Sequence, residues 1–95
     1  RIHVDAGAAD ALRTRGVSLL GVGVSRADGS FAAGDAVEVV DPDGRTIGRG
    51  LSNYDVADVA RIAGRSTTEA AATFGAAYAR EVIHRDQLVV LGSGR

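Results

Sequence analysis

The chain contains no cysteine, which excludes a disulfide staple, a thiol nucleophile and a cysteine-based zinc site. Nothing in it calls for an oxidising compartment, so a cytoplasmic setting is the expectation. Lysine is also absent, all eleven basic residues being arginine, and no ammonium group is available to hold nucleotide phosphates. Methionine is missing even at the first position, where Arg1 runs directly into Ile2-His3-Val4, a segment that reads as the inside of a strand. A piece of a longer protein is therefore expected. No run approaches the roughly 18 to 20 apolar residues that cross a bilayer, so no membrane partner is expected.

What is present fits one small soluble domain. The 95 residues are 45% apolar and 24% charged, with a formal net charge of −1. A domain this size buries somewhat over ~60% of the surface its unfolded chain exposes, leaving little room for a deep substrate cavity. Separate catalytic and cofactor domains are excluded, and enzymatic activity is disfavoured. Seventeen alanines and the arginine-only basic set reflect a compositional bias and need no functional cause.

Strands and helices can be placed from local signals. Ile2-His3-Val4 predicts a short strand, and Asp5 can cap a helix from Ala6 whose face carries Ala8, Ala11, Leu12 and Arg15, with Gly16 as its stop. Val17 to Val24 reads as a strand with Leu20, Val22 and Val24 on one face. Val17 and Leu19 head the other, where Gly21 and Gly23 replace side chains. Glycines on one face mark the close approach of a backbone or ligand, or a curl of the strand. Asp28-Gly29 and Gly34-Asp35 are turn signals, and Asp41-Pro42-Asp43-Gly44 is the strongest turn signature in the chain. These bound strands over 37–40 and 45–51, giving a meander of three or four strands across 17–52.

Asp55 can cap a short helix with Val56, Val59, Ala60 and Ala63 on one face, closed by Gly64. Ser66-Thr67-Thr68-Glu69 is a complete capping box, opening a helix with Ala70, Phe74, Ala77 and Tyr78 on one stripe, which Gly75 weakens. Extended segments are predicted at 81–84 and 88–91. The domain is assigned to 1–91 and a flexible tail to 92–95. The class is α+β with strands dominant.

Most chemical constellations fail on spacing. His84-Arg85-Asp86 matches the start of a kinase catalytic loop, but the metal-holding Asn five positions after Asp86 is Leu91, and the region reads as strand. It is better read as a cluster pinning a strand edge. Gly21-Val22-Gly23 lacks the third glycine of a dinucleotide loop, where Arg26 stands. His3, Asp5, His84 and Asp86 would approach one another if the first and last strands were neighbours, but they show no metal-ligand spacing, so no metal site is assigned. Asp41 and Asp43 read as solvated turn formers.

Charge distribution is uneven: residues 1–30 carry +1, 31–60 carry −4 and 61–95 carry +2. If the two ends meet, Arg13, Arg15, Arg80 and Arg85 could form a local basic face, enough for weak nucleic-acid binding at best.

Ile2-His3-Val4-Asp5 with Gly7, Ala8, Ala11 and Leu12, then Ser18-Leu19-Leu20 with Gly23-Val24, begin a longer pattern. It continues through Gly29, Phe31, Gly34-Asp35 and Val37, then Gly48, Gly50-Leu51 and Asn53-Tyr54, to Glu81-Val82-Ile83-His84-Arg85-Asp86 with Leu88-Val89. This series, spanning nearly the whole chain, resembles the carboxy-terminal PUA domain of bacterial glutamate 5-kinases. It departs where Gly21-Val22 replace the usual Pro-Ala and Gln87 the usual Asn or Asp. The resemblance implies a pseudo-barrel of about six strands with flanking helices.

It also implies a parent enzyme that uses ATP and magnesium to phosphorylate the side-chain carboxylate of glutamate in proline synthesis, under proline feedback. That chemistry belongs to an amino-terminal amino-acid-kinase domain, so no catalytic residue and no cofactor are carried over to this chain. Expected partners are that kinase domain and its neighbouring subunits. The alternative is RNA, held as in the PUA domains of RNA-modifying enzymes at positions that correspond here to Arg13, Arg15, Gly16, Ser18 and Arg85.

Overall fold

In the computed structural model, which describes residues 1–91, short strands and capped helices alternate around one core. Strand β1 (Ile2–Val4) ends at Asp5, whose carboxylate accepts the Ala8 N–H at 2.7 Å and so starts helix α1 (Ala6–Arg15). Gly16, in the left-handed region at φ 59°, ends that helix as its sequence predicts. Strands β2 (Val24–Ala27), β3 (Ala36–Val40) and β4 (Thr46–Leu51) follow. Helix α2 (Val56–Ile62) is capped by Asp55 through the Asp58 N–H, and α3 (Thr67–Phe74) opens on the full capping box of Ser66 and Glu69. Strand β5 (Leu88–Val90) completes the set.

The five strands form one open mixed sheet in the order β2-β1-β3-β4-β5. β1 lies between β2, to which it is antiparallel, and β3, to which it is parallel. The predicted meander is thus corrected: β3 and β4 form a hairpin, but β1 is inserted between β2 and β3. The barrel of about six strands is corrected too. Among the described residues the sheet has five strands and does not close: β2 and β5 remain at its edges, and Leu19 of the α1–β2 connection forms an isolated bridge to Ile83. The extended segment predicted at 81–84 reduces to that one bridge at Ile83, whereas the one at 88–91 forms as β5.

The predicted strand from Val17 starts only at Val24, after a 3₁₀ turn at Gly21–Gly23. Leu19, Gly21 and Gly23 point inward, while Leu20 and Val22 are exposed. A Cβ on Gly21 would lie 2.8 Å from the Ile62 carbonyl oxygen of α2, and one on Gly23 would lie 2.6 Å from the Ala8 Cβ of α1. The glycine face is where two helices close onto the chain, as the close-approach reading of those glycines requires.

The core gathers Ile2 and Val4 of β1, Val37 and Val39 of β3, Ile47, Leu12, Leu19, Val59, Ile62, Val82 and Ile83. The helical faces shift slightly from expectation: Ala9 with Leu12 is buried on α1, and Val59 with Ile62 on α2. Helix α3 stops at Gly75, so Ala77 and Tyr78 fall in a following 3₁₀ turn. The tail assigned to 92–95 lies outside the described residues.

Candidate functional site

The residues singled out in the sequence divide into two groups around α1. Arg13 and Arg15 are two positions apart on the helix and so point to different sides. Arg13 reaches across to the β3–β4 turn, where its Nη2 donates to Asp41 Oδ2 at 2.7 Å. Asp41 is a buried ion-pair partner, 4% exposed, which corrects its reading as a solvated turn former. Its Oδ1 accepts the N–H groups of Asp43 and Arg45 at 3.0 and 2.9 Å. The Arg45 N–H bond, then the Arg13 guanidinium and the Asp43 N–H, hold the Asp41 carboxyl below the usual carboxylate range, against the opposing effect of burial. The Asp41-Pro42-Asp43-Gly44 turn is thereby locked to α1. Its sequence signal was the acceptor at the first turn position; the arginine partner, 28 residues away, carries no local signature.

Arg15 instead lines a groove of about 350 Å³ between α1 and the segment 17–23, with Ala11, Val17, Ser18, Leu20 and Val22 among its walls. Gly16 sits at the end of the same helix. The Ser18 hydroxyl oxygen accepts the Arg85 N–H at 2.8 Å, bringing the final turn to the groove's edge. The structure therefore places Arg15 and Ser18 in one groove beside Gly16, joins the Arg85 backbone to Ser18, and diverts Arg13. Neither Arg15 nor Arg85 makes an ion pair among the described residues, and no acidic side chain lines the groove. Arg80, the fourth candidate of the basic face, is instead near Asn53, donating to its Oδ1 at 3.2 Å. The apolar walls, Val17, Leu20 and Val22, carry no charge or motif that would mark them as site residues in the sequence.

His84-Arg85-Asp86 has a structural task. The His84 Nδ1 accepts the Asp86 N–H at 3.0 Å and caps the 3₁₀ turn Arg85–Gln87 that feeds β5. His3 lies on β1, where its Nε2 meets Asp28 Oδ2 at 2.9 Å; Arg26 Nη1 donates to the same oxygen at 2.9 Å. The His3 bond is the main reason the Asp28 carboxyl is lowered. β1 and β5 are separated by two strands, so the premise of a shared His3, Asp5, His84 and Asp86 site fails. No cluster of three or more His, Cys, Asp or Glu suited to a metal occurs among the described residues. No helix of the described residues is long and apolar enough to cross a membrane.

The sequence matches the PUA domain model over residues 1–73, and the chain belongs to the PUA domain family. A crystal structure of a PUA domain from Aeropyrum pernix K1, a tartrate complex, superposes with a TM-score of 0.61 at 31% identity, covering 64% of this chain and 33% of that one. More particularly, the chain is closely related to the PUA region of glutamate 5-kinases. It is 57% identical to the Nitrobacter winogradskyi glutamate 5-kinase over 91 residues, 96% of this chain and 24% of that protein. With the Frankia casuarinae glutamate 5-kinase the identity is 48% over 91 residues, 96% of this chain and 24% of that protein. The chain spans about a quarter of the length of the curated relatives it matches, and it corresponds to their carboxy-terminal quarter.

Proposed function

We propose that this PUA domain is a non-catalytic accessory module of a glutamate 5-kinase, contacting the kinase portion or neighbouring subunits and modulating activity or proline feedback. The observation that carries this reading is the asymmetry of the match: 96% of this chain at 57% identity against 24% of the relative. In this reading ATP, magnesium and glutamate are handled by the other three-quarters of the protein. The test compares full-length enzyme with enzyme lacking this segment. A change in proline sensitivity, kinetics or oligomeric state is expected; three unchanged readouts would refute the role.

RNA binding is the competing reading, supported by Arg15 and Arg85, which make no ion pair among the described residues. It is weakened by the diversion of Arg13 to Asp41, since affinity for phosphates needs several convergent cations. All four aromatic rings are in the core or packed on it, leaving none in the groove for base stacking. Titration of the domain with structured RNA at two salt concentrations is expected to show no tight binding. Micromolar affinity that falls steeply with salt and vanishes in an Arg13→Ala/Arg15→Ala/Arg85→Ala variant would reverse the ranking.

A further inference from the structure

Three aliphatic side chains stand out on the surface between α1 and β2: Val17, Leu20 and Val22 are 37%, 41% and 52% exposed. Their exposure is imposed by the fold. Leu19 is fully buried, and its backbone is fixed on both sides, donating to the Ile83 carbonyl at 2.9 Å and accepting from Val82 N–H at 2.8 Å. Gly21 accepts the Gly64 N–H at 2.8 Å, and the Gly23 carbonyl accepts the Asp5 N–H at 3.0 Å. With Gly21 and Gly23 pressed against α2 and α1, there is no room for the segment to rotate, so Leu20 and Val22 cannot turn inward. The result is a fixed groove with an apolar wall and, in its lining, the Arg15 guanidinium, which has no ion-pair partner among the described residues.

We infer that this groove docks an apolar, carboxylate-bearing segment of the remaining three-quarters of the glutamate 5-kinase chain. The inference rests on the accessory-module reading and adds to it the surface and the chemistry of the contact. Two features select this occupant. The first is charge: Arg15 is the one charged residue of the lining among the described residues, and a carboxylate complements it. The second is size. The three aliphatic side chains offer on the order of 200 Å² of exposed surface, well short of the ~800 Å² per partner of a stable free-standing complex. A patch so small holds only a partner already tethered, where the effective concentration is in the millimolar range. A chain four times as long supplies such a tether.

Hydrogen–deuterium exchange of the 95-residue chain and of the full-length kinase carrying it tests the contact. Peptides covering 17–23 are expected to exchange about tenfold or more slowly in the full-length chain. Leu20→Asp/Val22→Asp in the full-length chain should restore the fast rate. Arg15→Glu, at an exposed position that leaves the apolar wall intact, should restore part of it. Unchanged melting temperatures of the variant 95-residue chains confirm that the fold is kept.

Equal rates for 17–23 in the two chains, or protection indifferent to both variants, overturn the inference. If another face of the domain slows instead, association with the kinase portion stands and the groove is the wrong surface; if no face slows, the docking role falls as well. Protection of the 95-residue chain that rises with its own concentration, or that appears only on adding structured RNA, also overturns it, in favour of a second copy or of RNA.

Discussion

Tyr54→Phe isolates a single polar tether inside an otherwise apolar anchor. The Tyr54 ring is buried in the core and stacked on Tyr78, with centroids 6.0 Å apart and planes 10° from parallel. Its hydroxyl donates to the Arg80 carbonyl at 2.9 Å and accepts the Arg80 N–H at 3.0 Å, tying the turn after α3 to the connection between β4 and α2. Burial raises the pKa of the hydroxyl, so it stays protonated and keeps its donor role at neutral pH. Phenylalanine preserves the ring and its stacking, so the loss is confined to the two hydrogen bonds with Arg80 and a longer one, 3.5 Å, to the Ala77 carbonyl. Each is worth about 0.5–1.5 kcal/mol net, and because the Arg80 side of the pair is exposed and can rehydrate, about 1–2 kcal/mol in total is expected. That corresponds to a fall in Tm of about 4–16 °C for a domain of this size. Urea denaturation should show a lower midpoint with an unchanged slope. Tyr78→Phe is the control: its hydroxyl donates to Asp58 Oδ1 at 2.8 Å and accepts from Arg61 Nη1 at 3.2 Å near the surface, and its removal should cost about 0.5 kcal/mol. A Tyr54→Phe variant that melts within about 2 °C of the parent, or less affected than Tyr78→Phe, would refute the reasoning.

Other perturbations read different parts of the fold. Gly50→Ala puts a Cβ 2.6 Å from the Gln87 carbonyl oxygen and 2.7 Å from Ile83 Cγ2; the clash should push β5 off β4 and cost about 1–3 kcal/mol, seen as faster amide exchange in Leu88–Val90. Ser66→Ala removes half of the capping box and should cost about 1 kcal/mol by thermal melting, with Glu69→Ala acting in the same direction. The Asp41 carboxyl titrates lower in the folded chain than in the unfolded one, so its contribution is complete above the ordinary carboxylate value of about 3.9 and is lost as pH falls through the lowered native value. Asp41→Asn should therefore weaken the domain at pH 7 and flatten the acid limb of its stability profile. An unaltered acid limb in denaturation curves from pH 7 down to about 2 would show that other carboxylates carry it.

The parts of this structure legible in the sequence are those with local causes. Asp5, Asp55 and Ser66 with Glu69 each mark a helix start within three residues, and each forms the bond its spacing predicts. The β3–β4 hairpin follows from Asp41-Pro42-Asp43-Gly44 and the aliphatic run before it. What was hidden depends on partners distant in the chain. The insertion of β1 between β2 and β3 is a topological choice that no residue of β1 declares. Asp41 looks like any turn aspartate until Arg13 is seen to reach it, and the same contact removes Arg13 from the basic face that charge counting assembled.

The exposure of Leu20 and Val22 has a different cause. Aliphatic alternation at Leu20, Val22 and Val24 is ordinarily the mark of a buried strand face, because large side chains gain most from burial. Here the inward positions are Leu19 and two glycines, since α1 and α2 approach so closely that at Gly21 and Gly23 nothing larger than hydrogen fits. Helix packing has taken precedence over side-chain burial, and the cost is two aliphatic side chains left facing water. A chain under selection only for the stability of this domain would place polar residues at 20 and 22, where they would lose nothing and improve solubility. Retaining Leu20 and Val22 there is accounted for if another surface covers them in the assembled protein. In the accessory-module reading, the nearest such surface is the remainder of a kinase chain of the relatives' length.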